Sequence, residues 1–159
     1  MGGHLPKPHT NKYSENVENE RLRVGVSTMQ GWRTSMEDAH IIEPDFDTKV
    51  SLFAIFDGHG GDEVAKFCAK NFGDCLKESK KYQMGRYEDA LIDTFLLMDK
   101  LIGHPECQAE LRQLKTDRND NMQAGCTANV VLITEDNIYC ANAGDSKAIL
   151  WSNGKKVFY

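Results

Sequence analysis

Four carboxylates stand where chemistry could be done: Glu37, Asp38, Asp57 and Asp145 all fall at expected strand edges or turns. Hard oxygen ligands in such places suit Mg²⁺ or Mn²⁺, which prefer carboxylates, carbonyls and water to thiolates. One carboxylate can bridge two ions, and a pair of ions can activate a water while neutralising a phosphoryl oxygen. Asp57 is the candidate bridge. Arg33 could clamp a phosphate through two parallel hydrogen bonds, and His59 could give a proton to a leaving group near neutral pH. Each also has a plainer reading, a surface salt bridge for Arg33 and a turn histidine for His59.

These residues need a scaffold, and Phe53-Ala54-Ile55-Phe56-Asp57-Gly58-His59-Gly60-Gly61 supplies its centre. Ser51 to Phe56 is a short apolar run, rich in Phe and Ile, cut off by glycines. That predicts a strand, and its lack of a polar face predicts cover on both sides. From Asp62 a helical period takes over. Val64, Ala65, Cys68, Phe72, Cys75 and Leu76 share one face to Lys77, and the acidic opening suits the positive end of a helix dipole. Asp57 and His59 thus lie on a tight strand-to-helix connection, where loops held by a rigid scaffold usually carry function.

Ahead of this core, residues 1–21 are polar, hold two of the four prolines and show no hydrophobic period, which predicts a flexible arm. Leu22, Val24 and Val26 alternate with polar residues as in a half-buried strand, interrupted at Gly31-Trp32-Arg33. A second apolar stretch spans Ala39 to Ile42, and Pro44-Asp45-Phe46-Asp47 reads as a turn. Beyond the first helix, a second is expected from Arg86 to a stop at Gly103 and Pro105, with Leu91, Phe95, Met98 and Ile102 on one stripe. Residues 105–123 are polar, including the turn-forming Asp117-Arg118-Asn119-Asp120-Asn121, and predict a loop or a poorly ordered helix. Three strands follow at Ala128 to Ile133, Asn137 to Asn142 and Lys147 to Trp151. Asn153-Gly154 then marks a hairpin leading into a further strand at Val157.

At 159 residues with net charge -5 the chain fits one domain, and no Lys/Arg cluster larger than Lys80-Lys81 or Lys155-Lys156 offers a nucleic-acid surface. No apolar run approaches a membrane span, and the start of the chain has no signal-peptide core, so the expected location is cytoplasm or nucleus. Gly2, exposed once Met1 is removed, could be acylated, but Pro6 stands where the myristoylation pattern wants Ser or Thr, and one acyl chain gives only marginal membrane binding. The five cysteines are odd in number and contain no C-x-x-C pair, which argues against a disulfide framework or a zinc site. Cys68 and Cys75 read as small core hydrophobes.

Four blocks in order resemble the signatures of the metal-dependent protein phosphatases, the protein phosphatase 2C family: Gly31-Trp32-Arg33-Thr34-Ser35-Met36-Glu37-Asp38-Ala39-His40, Phe56-Asp57-Gly58-His59-Gly60-Gly61, Gly125-Cys126-Thr127-Ala128 and Ala143-Gly144-Asp145-Ser146-Lys147-Ala148. The resemblance covers Leu22 to Tyr159. It implies an α+β fold, a four-layer α/β/β/α sandwich of two antiparallel sheets flanked by helices, incomplete here. Residues 22–159 would be the N-terminal part of the catalytic domain.

The implied reaction is hydrolysis of phosphoserine and phosphothreonine in proteins by a water held between two Mg²⁺ or Mn²⁺ ions, without a phosphoenzyme. By the same resemblance Asp57 would bridge the ions. The Gly58 carbonyl and Glu37 would serve one of them, with Asp38 in support. Arg33 would hold the substrate phosphate, His59 would protonate the leaving oxygen, and Asp145 would attend an additional, weaker ion. Cys126 and Lys147 stand where the family commonly has Ser and Arg. The family domain is nearly twice as long, and this sequence contains no Asp-Gly-x-x-Asp block and no Asp-Asn block following one. A weakly active or inactive phosphatase portion is therefore expected, the alternative being a non-catalytic binding or decoy module.

Overall fold

The structure, a computed structural model, describes residues 4–116, 124–152 and 154–158. Its elements in order are β1 (His4–Glu18), β2 (Arg23–Arg33), β3 (Ala39–Asp47), β4 (Val50–Phe56), β5 (Gly58–His59), α1 (Glu63–Glu78), α2 (Lys80–Gln83) and α3 (Tyr87–Gly103). A 3-10 turn at Pro105–Cys107 then leads to α4 (Gln108–Leu114), β6 (Gly125–Cys126), β7 (Ala128–Ile133), β8 (Ile138–Ala143), β9 (Ile149–Ser152) and β10 (Lys155–Phe158). The architecture is mixed α and β, with antiparallel sheets and helices packed against them. No helix among the described residues is long and apolar enough to cross a membrane.

The principal sheet has the order β3-β4-β7-β8, all antiparallel, so the apolar run expected as a central strand is one. Side chains alternate across a strand. Leu52, Ala54 and Phe56 point to one face, in register with Val130 and Leu132 of β7, and all are at most 4 % exposed. α1 covers β3 and β4 there, while α3 packs on α1 and β8. Phe56, Phe72 and Phe95 form an aromatic chain at 6.1 and 5.6 Å between sheet and helices, and such pairs add about 0.5–1.5 kcal/mol each beyond their buried area. The expectation of cover on both faces is corrected. Ile55, on the other face, is 43 % exposed. An apolar run records a preference for burial and does not name the element that provides it.

Three further corrections concern strands. The segment expected as a loose arm pairs as β1 with β2, from Glu18↔Arg23 to His4↔Arg33 with irregular register near its start. Backbone pairing needs no apolar period, and β1 is largely exposed, so its sequence carries none. Its turn is fixed by the Asn19 side chain, which accepts from the Arg21 and Leu22 amides at 2.9 and 2.8 Å. Arg21 in turn donates to the Lys49 carbonyl and the Ser51 hydroxyl, pinning the hairpin to β3–β4. β2 continues through Gly31-Trp32-Arg33, but Gly31 takes φ 66° and the register shifts on either side of its pair with His9, and β3 continues past Pro44 by shifting register between Glu43 and Asp47. A proline is tolerated at such an irregularity because no ladder donor is asked of it.

α1 and α3 match the helical periods, and the polar stretch after Gly103 contains an ordered α4. The Asp117–Asn121 cluster, Gly2 and Asn153 lie outside the described residues. Gly154 has φ 73° between the paired β9 and β10, in keeping with the expected hairpin.

Asp62 precedes α1, but its carboxylate does not cap the helix. It accepts from Lys66 at 2.6 Å and from the Thr116 amide at 3.0 Å, joining the start of α1 to the segment after α4. Burial works against this carboxylate, yet the hydrogen bonds from Lys66 and Thr116 outweigh it and hold Asp62 below the usual aspartate range. A lowered carboxylate pKa means stability that is present above the unfolded value and lost as pH falls through the folded one. Asp62→Ala is therefore expected to destabilise the chain by about 1–2 kcal/mol at pH 7. In urea denaturation repeated down to acid pH, that deficit should shrink below about pH 4.

Candidate functional site

Asp57 follows β4 at the edge of the main sheet, and both of its main-chain groups go to Thr127. Its amide donates to the Thr127 hydroxyl at 3.3 Å, and its carbonyl accepts from the Thr127 amide at 2.9 Å. The next two residues form β5, which pairs Gly58 with Cys126 and His59 with Gly125. Gly60 and Gly61 then turn the chain into α1 with φ of 71° and 147°, angles that residues bearing a Cβ rarely adopt. The side chain of Asp57 is exposed at this strand end.

The segment from Arg33 to Asp38 crosses this edge. Gly58 lies so close to Glu37 that a Cβ there would strike the Glu37 carbonyl. The Glu37 side chain is largely buried: Oε1 accepts from the Ser35 hydroxyl at 2.8 Å, while Oε2 is buried with no hydrogen-bond partner. The guanidinium of Arg33 stands 3.8 Å from that oxygen, and the Arg33 side chain is 57 % exposed. Burial pushes the Asp38 carboxyl above the usual range, with Asp57 and Glu37 adding repulsion that Arg33 only partly offsets. Glu37, Asp38, Asp57 and Arg33 therefore share one electrostatic neighbourhood, with Gly58 packed beside it.

His59 extends over Gly125, where a Cβ would come within 2.7 Å of its Nε2, so this glycine makes room for the ring. Asp145 is held less directly. Its neighbour Ser146 shares a 2.7 Å hydroxyl contact with Thr127, and Gly144 turns the chain there with φ 108°. Asp145 and His59 thus lie on segments tied to the Asp57 strand end, outside the tight carboxylate group. Next to Glu37, a cleft of about 740 Å³ is lined among others by Thr34, Gly61, Lys66 and Thr116.

The donor set is all oxygen, crowded in negative charge, with one buried carboxylate oxygen lacking a partner. That chemistry fits a hard divalent cation. Among the described residues, however, no three of His, Cys, Asp and Glu converge closely enough to form an ion site by side chains alone. Reading by residue type missed Thr127, Ser146 and Ser35, which hold the carboxylate-bearing segments. The Gly125-Cys126-Thr127-Ala128 block was the available signal for the first.

The family model described as Protein phosphatase 2C matches residues 22–158. Protein phosphatase 2C 1 of Paramecium tetraurelia is 47 % identical over 153 residues, covering 96 % of this chain and 51 % of that protein. Protein phosphatase 2C homolog 3 of Schizosaccharomyces pombe is 42 % identical over 159 residues, covering 97 % of this chain and 36 % of that protein. The chain thus spans about half the length of the Paramecium relatives it matches. Among solved structures, a C. elegans sex determining protein superposes with TM-score 0.60 at 19 % identity over 95 % of this chain and 34 % of its own. A bacterial serine phosphatase superposes with TM-score 0.54 at 18 % identity, covering 94 % of this chain and 60 % of its own. These two likenesses establish the fold.

Because Gly58 faces the Glu37 backbone and not a movable side-chain tip, Gly58→Ala is expected to force the two segments apart. A loss of about 1–3 kcal/mol in thermal or urea unfolding is anticipated, whereas Gly103→Ala, with nothing near its Cβ position, should cost nothing. Equal melting of the Gly58→Ala and wild-type chains would mean that the Glu37 segment is not packed on the loop.

Proposed function

Since the chain belongs to the protein phosphatase 2C family, we propose that it carries part of the catalytic site of a metal-dependent hydrolase of phosphoserine and phosphothreonine in proteins, with residues 22–159 as its share of the catalytic domain. The observation that carries this reading is the crowding of Glu37, Asp38 and Asp57 at one strand end beside the half-exposed Arg33. Asp57 and the Gly58 carbonyl, with Glu37 and Asp38, are the groups that would hold two Mg²⁺ or Mn²⁺ ions, and Asp145 would attend a weaker one. Bound there, such ions supply an activated water and charge neutralisation at the phosphoryl oxygens.

The remaining work falls to the chain's own side chains. Arg33 has a half-exposed side chain and a long contact to Glu37, so it can turn to a phosphate and grip two oxygens at once. His59 is exposed on a strand pair whose partner at that position is Gly125. There it can deliver a proton to the departing serine or threonine oxygen, a role imidazole fills near neutral pH. The cleft beside Glu37 gives a phosphorylated segment an approach.

The sequence lacks the Asp-Gly-x-x-Asp block, with an Asp-Asn block after it, that the resemblance calls for. The 159-residue chain is accordingly expected to bind Mn²⁺ weakly by calorimetry, since affinity for hard cations follows ligand count and charge. It should hydrolyse a phosphoserine peptide poorly. A version extended through those blocks should be active and chelator-sensitive, and Asp57→Asn should lower its rate by about a hundredfold or more, the scale seen when a group stabilising developing charge is removed. An extended protein that binds phosphopeptide without turnover would favour the binding-module alternative. Turnover indifferent to chelator and to Asp57→Asn would overturn the reading altogether.

A further inference from the structure

Two thiols meet under the candidate site. Cys68 lies in the middle of α1 and is 4 % exposed, while Cys126 ends β6 and is partly exposed. Their sulfurs are 3.8 Å apart, although 58 positions separate them in sequence. Two packed cysteines can be no more than small hydrophobes. This pair, however, combines a sulfur that a small oxidant can reach with a second sulfur held against it and shielded from solvent. A disulfide requires about 2.05 Å between sulfurs, so closure needs a movement of under about 2 Å, within the reach of side-chain rotation. β6 is also the strand paired with Gly58 and His59, so a bond at Cys126 would act on the strand that backs them.

We propose that Cys68 and Cys126 form a hydroperoxide-sensitive dithiol, oxidised to an intramolecular disulfide that ties α1 to the strand behind the Asp57–His59 loop. The Cys126 sulfur, as the more exposed, attacks the O–O bond of hydrogen peroxide. An S–O bond forms, the O–O bond breaks and one water leaves, giving the sulfenic acid at Cys126. The Cys68 sulfur then attacks that sulfur. The S–S bond forms as the S–O bond breaks, and the Cys68 proton departs with hydroxide as a second water. Two thiols have been oxidised by two electrons, and one peroxide has been reduced to two waters. A thiol reductant reverses the bond by exchange.

The test is peroxide treatment of the native chain, followed by thiol counting and peptide mapping by mass spectrometry. Two of the five thiols should disappear, with a Cys68–Cys126 cross-linked peptide lighter by about 2 Da than its reduced parts, and dithiothreitol should restore them. Cys126→Ser, an isosteric change at a partly exposed position, should abolish the cross-link while circular dichroism confirms the fold. Cys68→Ser should stop the reaction at a Cys126 sulfenic acid trapped by dimedone. In urea the cross-link should form at least about tenfold more slowly, because proximity is lost. Peroxide that leaves both thiols reduced in the folded chain would overturn the proposal. So would a Cys75–Cys107 bond in its place, or cross-linking as fast in urea as in buffer.

Discussion

The site depends on one threonine. Asp57 stands where the regular ladder between β4 and β7 has run out, and a strand end carrying exposed main-chain groups would ordinarily fray. Thr127, 70 positions away, takes up both the amide and the carbonyl of Asp57, bridging the gap between the Ile55↔Asn129 pair and the Gly58↔Cys126 pair. Each bond is worth only about 1 kcal/mol net, but together they fix the strand end. The Thr127 hydroxyl also meets Ser146. One side chain thus sets the relative positions of three segments, carrying Asp57, Cys126 with Gly125, and Asp145.

That geometry concentrates like charge at the edge of an acidic chain, and the energetic consequence is visible in two places. Asp38 is held above its ordinary range by burial and by its carboxylate neighbours, and Glu37 keeps a buried oxygen without a hydrogen bond. Arg33 is too exposed to cancel the repulsion, since an ion pair in contact with solvent contributes at most about 1 kcal/mol. The arrangement therefore costs stability, which the Phe56, Phe72 and Phe95 core behind it must offset.

What the sequence disclosed follows from the range of the forces involved. The central strand was legible because six residues of burial preference ended at glycines, and α1 and α3 because their apolar faces repeat with the helical period. β1 escaped because a solvent-exposed ladder is made by the backbone and leaves no hydrophobic signature. The continuation of β3 through Pro44 was hidden because a register shift is a property of two strands together. The carboxylates could be found by residue type and position. Nothing local could disclose Thr127 on Asp57, or Gly125 making room for His59, since each is a contact between segments far apart in the chain.

The loop bearing His59 is consequently anchored at both ends. At one end Thr127 grips Asp57. At the other Asp62 is fixed by Lys66 and by the Thr116 amide, with the Lys115–Glu63 pair at 3.5 Å beside it. Gly60 and Gly61 between these anchors occupy backbone angles open chiefly to glycine, and Glu63 fills the space that a side chain at Gly61 would need. Rigidity thus resides in the anchors, and the glycines permit the sharp return into α1 without strain. A bare Gly125 completes the arrangement: a Cβ there would come within 2.7 Å of the His59 Nε2, so the ring takes its place over β6 only because no side chain stands opposite it.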